Sequence, residues 1–478
     1  MPNRRASCRA GLWIVIALLG GVWLTVETER AAHKPFWLDE AYALHAAVRG
    51  TGFARLLLSG APGQASPSPL DYLLLKGLDE GRTTVAYFRL PPHAYYRLIA
   101  LLSTVGAAAF AFGLALPARL LSRTTSKTTV ACALSACAFV SFVLERSTFY
   151  YAAEMRPYAL WTALWLVSAL SLLRTTKGGR TVTIVALVLL AMTATASVFQ
   201  LAALAAAALC VGLAGKEPLA RLGREVLILF ALPLAVCLFY CVRVGHWDYP
   251  ADWCAWARFF PFWASHWWVA AASLAAVTLC LTQRATHAYA VPPLAMAIFY
   301  LLGPVMFETT KLKGFFFTER QYVAYGAAVP ILCVTCALVL SAEAPLKGVR
   351  VRRGLVFLVA GAALLGTAHS GWRTIRSVVQ DSSAWGGSPG IPSDSARVLS
   401  TLLQHEMPRA FCFAGTPTNE ALANVRVVAE WLPVRYSSLP VGEKTVFLAA
   451  QGDFAEVLEL GDSCDSKPAI PVVRTQPR

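Results

Sequence analysis

Charge is scarce in this chain. Only 14% of its 478 residues are Asp, Glu, Lys or Arg, while 57% are apolar. A soluble domain of ordinary composition carries roughly 25% charged residues, so composition excludes that class. Acidic residues are the scarcer sign, 27 against 42 basic, which leaves a formal net charge of +15. Zinc-finger spacing, a Gly-rich phosphate loop ending in Lys and a dinucleotide fingerprint are all missing. The 12 cysteines form no secreted-domain framework, because most fall in apolar runs where a small buried residue is the ordinary reading.

Long apolar runs dominate instead. About eleven are long enough to cross about 30 Å of hydrocarbon: 10–27, 95–118, 129–146, 157–173, 181–198, 200–215, 225–243, 263–282, 288–307, 322–341 and 354–370. The stretch 181–215 reads as one helical hairpin or as something less regular, since its centre at Gln200 is barely polar. The first run lacks a small-residue processing site and is read as an anchor. The fold class expected is therefore an α-helical polytopic membrane protein.

Lys and Arg give the expected orientation. Arg4, Arg5 and Arg9, then Arg119, Arg123 and Lys127, then Arg174, Lys177 and Arg180, then Lys216, Arg221 and Arg224, then Arg284, and finally Lys347, Arg350, Arg352 and Arg353 fall on one side of an eleven-span chain. The positive-inside rule makes that side, and the N-terminus, cytoplasmic. The net charge then faces anionic lipid, and no nucleic-acid partner is expected. The first loop, 28–94, and everything after about residue 371 lie on the outer face.

Three polar clusters fall on that face. The first is Pro35-Phe36-Trp37-Leu38-Asp39-Glu40-Ala41-Tyr42. A carboxylate so close to hydrocarbon is costly unless it faces protein or a polar cavity, which points to function; a polar loop residue capping a helix from Ala41 is the plainer alternative. Beyond it, 40–58 and 70–78 read as short interfacial helices that bury Tyr42, Leu44, Phe53, Leu56 and Leu57.

The second cluster runs from Glu145 to Tyr158. Pro157 suits the first turn of a helix, which sets Arg156 at its mouth beside Glu154, Tyr150 and Tyr151. Arg156 either pairs with Glu154 or a lipid phosphate, or binds an anionic substrate. The third is Glu308 to Tyr322, where Lys311, Lys313 and Arg320 break the positive-inside trend beside Phe315, Phe316 and Phe317. It reads as a phosphate site or as an interfacial belt of aromatic and basic residues.

Together these segments resemble the GT-C superfamily of membrane glycosyltransferases, the group with the protein O-mannosyltransferases and the bacterial enzymes that move aminoarabinose and other sugars from polyprenyl phosphate to lipid A or surface polysaccharides. The resemblance rests on Trp37-Leu38-Asp39-Glu40, on Arg97, on Tyr151-Ala152-Ala153-Glu154-Met155-Arg156-Pro157-Tyr158 and on Arg320-Gln321-Tyr322. It covers most of the first 340 residues. The first loop reads Ser66-Pro67-Ser68-Pro69-Leu70-Asp71-Tyr72 where relatives commonly carry Pro-Pro-Leu-Tyr, and Gln321 splits the Arg-Tyr pair.

The resemblance implies a transferase of the bacterial inner membrane that takes a sugar from a polyprenyl-phosphate donor to a lipid, glycan or protein hydroxyl in the cell envelope. It implies Asp39 as base, with Glu40 orienting the helix, an acceptor or a metal ion. Asp71, Tyr72, Arg97, Tyr151, Glu154, Arg156, Tyr158, Lys311, Lys313, Arg320 and Tyr322 are the implied substrate contacts. The family has metal-requiring and metal-independent members, so the acidic pair leaves a divalent cation undecided; His33, His45, His93 and Asp71 are loose neighbours. A transporter or flippase of lipid-linked sugars is the competing reading, although no internal repeat and no charge at the centre of several spans supports it.

The expected domain order is a transmembrane catalytic body over 1–376, a linker over 377–394 rich in Gly, Ser and Pro, and a small outer α/β domain over 395–478. Helical periodicity marks 395–406, a further helix is expected over 419–430, and Phe411–Ala414 and Thr445–Ala449 read as strands. In an oxidising compartment Cys412 and Cys464 could form its one disulfide, with Cys254 another partner, whereas Cys333 and Cys336 lie inside a span.

Overall fold

The computed structural model describes residues 2–36, 40, 43–60, 68–85, 92–116, 126–173, 177–243, 259–310, 319–342, 350–380, 410–414, 434–441, 444–451 and 472–474. Helices dominate. α1 (Pro2–His33) leads into a π-helical turn (Ala43–Val48), then α2 (Phe53–Ser59), α3 (Leu70–Val85) and α4 (Pro92–Tyr96). The bundle continues through α5 (Leu98–Ala115), α6 (Ser126–Val143), α7 (Arg146–Ala152), α8 (Pro157–Ser171), α9 (Lys177–Thr193), α10 (Ser197–Ala214) and α11 (Leu219–Arg243). It closes with α12 (Phe259–Leu281), a 3-10 helix (Arg284–Ala290), α13 (Val291–Thr310), a second 3-10 helix (Glu319–Ala327), α14 (Ala328–Ser341) and α15 (Arg350–Gln380).

Among the described residues seven helical stretches are long and apolar enough to cross a membrane, and eight if α6 and α7, bent by 54° at their junction, form one span. Helix α9 and the described part of α12 are apolar but shorter. The chain is thus a multi-span helical membrane protein. The stretch 181–215 resolves into α9 and α10, separated at 194–196 rather than at Gln200.

Helix α14 is the hub. It packs on α5, α6, α12 and α15, and 94% of the span that contains it is buried, which is why its sequence is apolar on every side. Inside a bilayer, packing rather than expulsion of water holds helices together, and small residues permit it. On α5, Ala100, Thr104, Ala107, Ala108, Ala111 and Ala115 supply that face, and α6 and α8 close on it.

Side-chain contacts define two ends. Trp161 of α8 meets Ser197 of α10, and Tyr240 near the end of α11 donates to the Leu57 carbonyl at 2.7 Å. At the opposite end Arg180 of α9 bonds Glu225 of α11 at 3.0 Å. Helices α8 to α11 therefore alternate in direction. The segments 43–60, 68–85 and 92–96 cap the first end.

That cap has its own core: Phe36, Leu44, Val48, Leu56, Tyr72, Leu75, Tyr95, Tyr96 and Met155 are all buried. Each large side chain taken from water there contributes about 1.5–3 kcal/mol. Phe53 and Leu57, expected to bury along the membrane interface, are 44% and 42% uncovered by protein; Tyr42 lies outside the described residues. Leu56 is the buried side chain of α2, while the Lys76 ammonium lies 5.4 Å from the centre of the Phe53 ring and the Leu57 carbonyl accepts from Tyr240.

Helix α15 continues to Gln380, so 377–380 of the expected linker is helical. Farther on, β1 (Ala410–Ala414), β2 (Val434–Val441), β3 (Lys444–Gln451) and β4 (Val472–Arg474) form one sheet in the order β2-β3-β1-β4. β3 pairs antiparallel with β2 and β1, and β4 runs parallel to β1. The helices expected over 395–406 and 419–430, and Cys254 and Cys464, lie outside the described residues.

Candidate functional site

Buried charge is concentrated at the capped end. Glu40 has no solvent exposure, and neither has Arg97, the residue that leads into α5. Arg97 Nη2 bonds Glu40 Oε2 at 3.0 Å, and Nε bonds Oε1 at 3.3 Å. Its Nη1 donates to the Ala31 carbonyl at 2.6 Å and to that of Lys34, and Nη2 reaches the Pro35 carbonyl at 3.1 Å. All five guanidinium protons are thereby used. Every Arg97 donor is thus spent on protein oxygens.

Glu40 is held from a third side. The Met155 N–H donates to its Oε1, and Phe36 lies against the Arg97 guanidinium at 4.8 Å. Residues 37–39, with Asp39 among them, lie outside the described residues; their flanks, Phe36 and Glu40, are both buried.

A second pair adjoins the first. Lys34 Nζ bonds Glu154 Oε1 at 2.8 Å and lies 4.3 Å from the centre of the Tyr150 ring. Burial pushes the Lys34 ammonium below its ordinary range, with Glu154 acting against that fall. Glu154 is buried too, and its Oε2 has no hydrogen-bond partner among the described residues. One turn earlier, Arg30 bonds Glu27 at 2.7 Å, donates to the Phe149 carbonyl and lies over the Phe149 ring. The two basic residues at the end of α1 thus clamp the segment 149–154.

The local sequence explains the clamp. Glu145 caps α7 by accepting from the Thr148 N–H at 2.7 Å, and α7 stops at Ala152. Pro157 opens α8, and Arg156 before it is extended at φ −139° and ψ 153°, as a residue preceding proline prefers. The chain between the two helices therefore presents Glu154 toward α1. The Tyr151 and Tyr158 rings lie 4.9 Å apart with their planes tilted by 56°, and the Arg156 guanidinium lies 5.8 Å from the Tyr158 ring.

Asp71, in the first turn of α3, faces this group. Burial pushes its carboxyl from 3.8 to about 6, while the nearby Arg156 pulls it down more weakly. Its neighbour Tyr72 belongs to the core of the cap and supplies packing. Farther out, Arg49 bonds Asp79 at 2.9 Å, and the Tyr96 hydroxyl donates to Asp79 at 2.6 Å.

The structure thus brings together Glu40, Asp71, Arg97, Tyr151, Glu154, Arg156 and Tyr158. Arg320 and Tyr322 lie in the 3-10 helix Glu319–Ala327 and His45 in the turn Ala43–Val48, with their side chains outside the described set; Lys311 and Lys313 lie outside the described residues. His33 sits on an exposed face beside Glu29, and His93 is buried against Phe36. No three His, Cys, Asp or Glu side chains are grouped as metal ligands among the described residues.

Sequence reasoning missed Lys34, Arg30 and Glu27. The signal was available: Glu27 and Arg30, spaced i,i+3, are charged residues within the first span, where an unpaired charge is expensive.

Fold and site together define a class: a polytopic helical membrane protein whose capped end holds a buried ionic cluster. No family model, no curated protein and no solved structure matches the chain.

Proposed function

We propose that this protein is a GT-C-like glycosyltransferase of eleven spans, with its N-terminus cytoplasmic and its capped end on the outer, periplasmic face of the bacterial inner membrane. The observation that carries the reading is the ionic clamp on Glu40. It anchors the backbone next to Asp39, beside the Glu154 and Arg156 segment and at the end where the motifs expect chemistry.

In the proposed reaction Asp39 takes the proton of an acceptor hydroxyl as its oxygen attacks the anomeric carbon of a polyprenyl-phosphate sugar. The new C–O bond forms as the bond to phosphate oxygen breaks, and the configuration inverts. Polyprenyl phosphate leaves as an anion and needs little protonation. Arg156, Arg320, Lys311 and Lys313 offset its growing charge. Tyr151 and Tyr158 offer an aromatic wall to the sugar.

Reconstitution in proteoliposomes with a panel of polyprenyl-phosphate sugars, followed by mass spectrometry of lipid, glycan and protein acceptors, tests this. Transfer with an inverted anomeric centre is the expected result. Movement of the donor between leaflets without transfer would replace the reading with that of a translocator.

A further inference from the structure

Beneath the charged end, the seam between α8, α10 and α13 carries polar groups without a hydrogen-bond partner among the described residues. Trp161 Nε1 donates to Ser197 Oγ at 2.9 Å and ties α8 to α10. Both helices run away from the capped end, so their next turns descend together. At 1.5 Å per residue Trp165 lies about 6 Å below Trp161, and Gln200 about 4.5 Å below Ser197. The Trp165 ring meets Phe299 of α13 at 5.6 Å, and α13 packs along α10, which closes the third side.

Trp165 and Gln200 have no solvent exposure. Yet Trp165 Nε1, Gln200 Oε1 and Gln200 Nε2 have no hydrogen-bond partner among the described residues, and neither has Thr162 Oγ1 on the same helix as Trp165. A buried polar group left unpaired is costly. A leucine at position 200 would avoid that cost in a bundle otherwise packed from Ala, Leu and Phe. Two donors and two acceptors at neighbouring depths are what a buried water needs, since water donates and accepts at once.

We infer that ordered water occupies this seam, an internal hydration site bounded by Trp165, Gln200 and Thr162 within the transmembrane bundle. The water accepts from the indole and amide N–H groups and donates to the amide and hydroxyl oxygens. The site is separate from the proposed transfer chemistry and stands whether or not the protein moves a sugar.

Hydroxyl-radical labelling of the full chain in lipid nanodiscs tests it, because radicals born from a bound water oxidise buried neighbours that bulk solvent cannot reach. Trp23 is the reference: it is also buried, and its Nε1 donates to the Val143 carbonyl at 3.0 Å. Trp165 should oxidise several-fold faster than Trp23, and Gln200→Leu should bring it down to the Trp23 rate. Equal or slower oxidation of Trp165 in the wild-type protein, or a rate unchanged by Gln200→Leu, overturns the inference. Should that variant fail to accumulate, Thr162→Val is read in the same way, and the wild-type comparison decides by itself.

Discussion

The Arg97 guanidinium grips the Glu40 carboxylate at 3.0 Å with both side chains withdrawn from solvent. The two residues are 57 positions apart, and their union joins the first loop to the start of α5. Because the Met155 N–H donates to the same carboxylate, one ion pair sets the relative positions of three chain segments.

Removing the cation should be severe. Arg97→Met leaves the Glu40 charge buried without its counter-ion, a change expected to cost about 3–5 kcal/mol. Arg97→Lys should recover only part of the loss, since an ammonium cannot reproduce five directed bonds. Thermal unfolding in detergent measures both, and a wild-type melting temperature for Arg97→Met would show that the pair contributes nothing.

Asp71 should make stability depend on pH. Its folded-state carboxyl is raised to about 6 from 3.8, so the folded protein binds the extra proton between those values. Stability from this group is therefore present below pH 3.8 and is lost as pH rises through 6, by on the order of 3 kcal/mol. Asp71→Asn should melt higher than wild type at pH 7.5 and no higher at pH 3.5. A difference that is flat across that range contradicts the assignment.

Asp39→Asn should abolish sugar transfer by about 100-fold or more, the scale of general-base catalysis, while membrane insertion and donor binding persist. Single-turnover transfer and donor binding, measured on the same preparation, separate the two. Normal turnover at an adequate protein level removes Asp39 as the base.

Arg320→Ala should weaken donor binding or slow phosphate departure. Steady-state kinetics with a polyprenyl-phosphate sugar report this as a higher KM or a lower kcat. Kinetics identical to wild type would place Arg320 outside the site.

Local features were the legible ones. Pro157 announced the start of α8, because its fixed φ suits the first turn of a helix and its missing N–H costs nothing there. The outer clusters identified Glu40, Glu154 and Arg156 as residues worth attention. Their partners were not legible: Lys34 and Glu154 are 120 positions apart, and Arg97, singled out by the resemblance as a substrate contact, gave no sign of its bond to Glu40 57 positions away. Burial decides such roles. An arginine at an open mouth binds an anion, and the same arginine with every proton occupied orients a neighbour.

Composition and run length by themselves determined that this chain spans a membrane many times, because segments so apolar have no stable place in water. The order of the motifs also determined which end to search. Only the tertiary structure decided that Glu40 is clamped rather than exposed, that Arg97 is committed to it, and that Asp71 faces Arg156 from a different helix. Pairing of charges in a low-dielectric interior depends on distances of 3 Å between residues far apart in the chain, and no periodicity in the sequence encodes those distances.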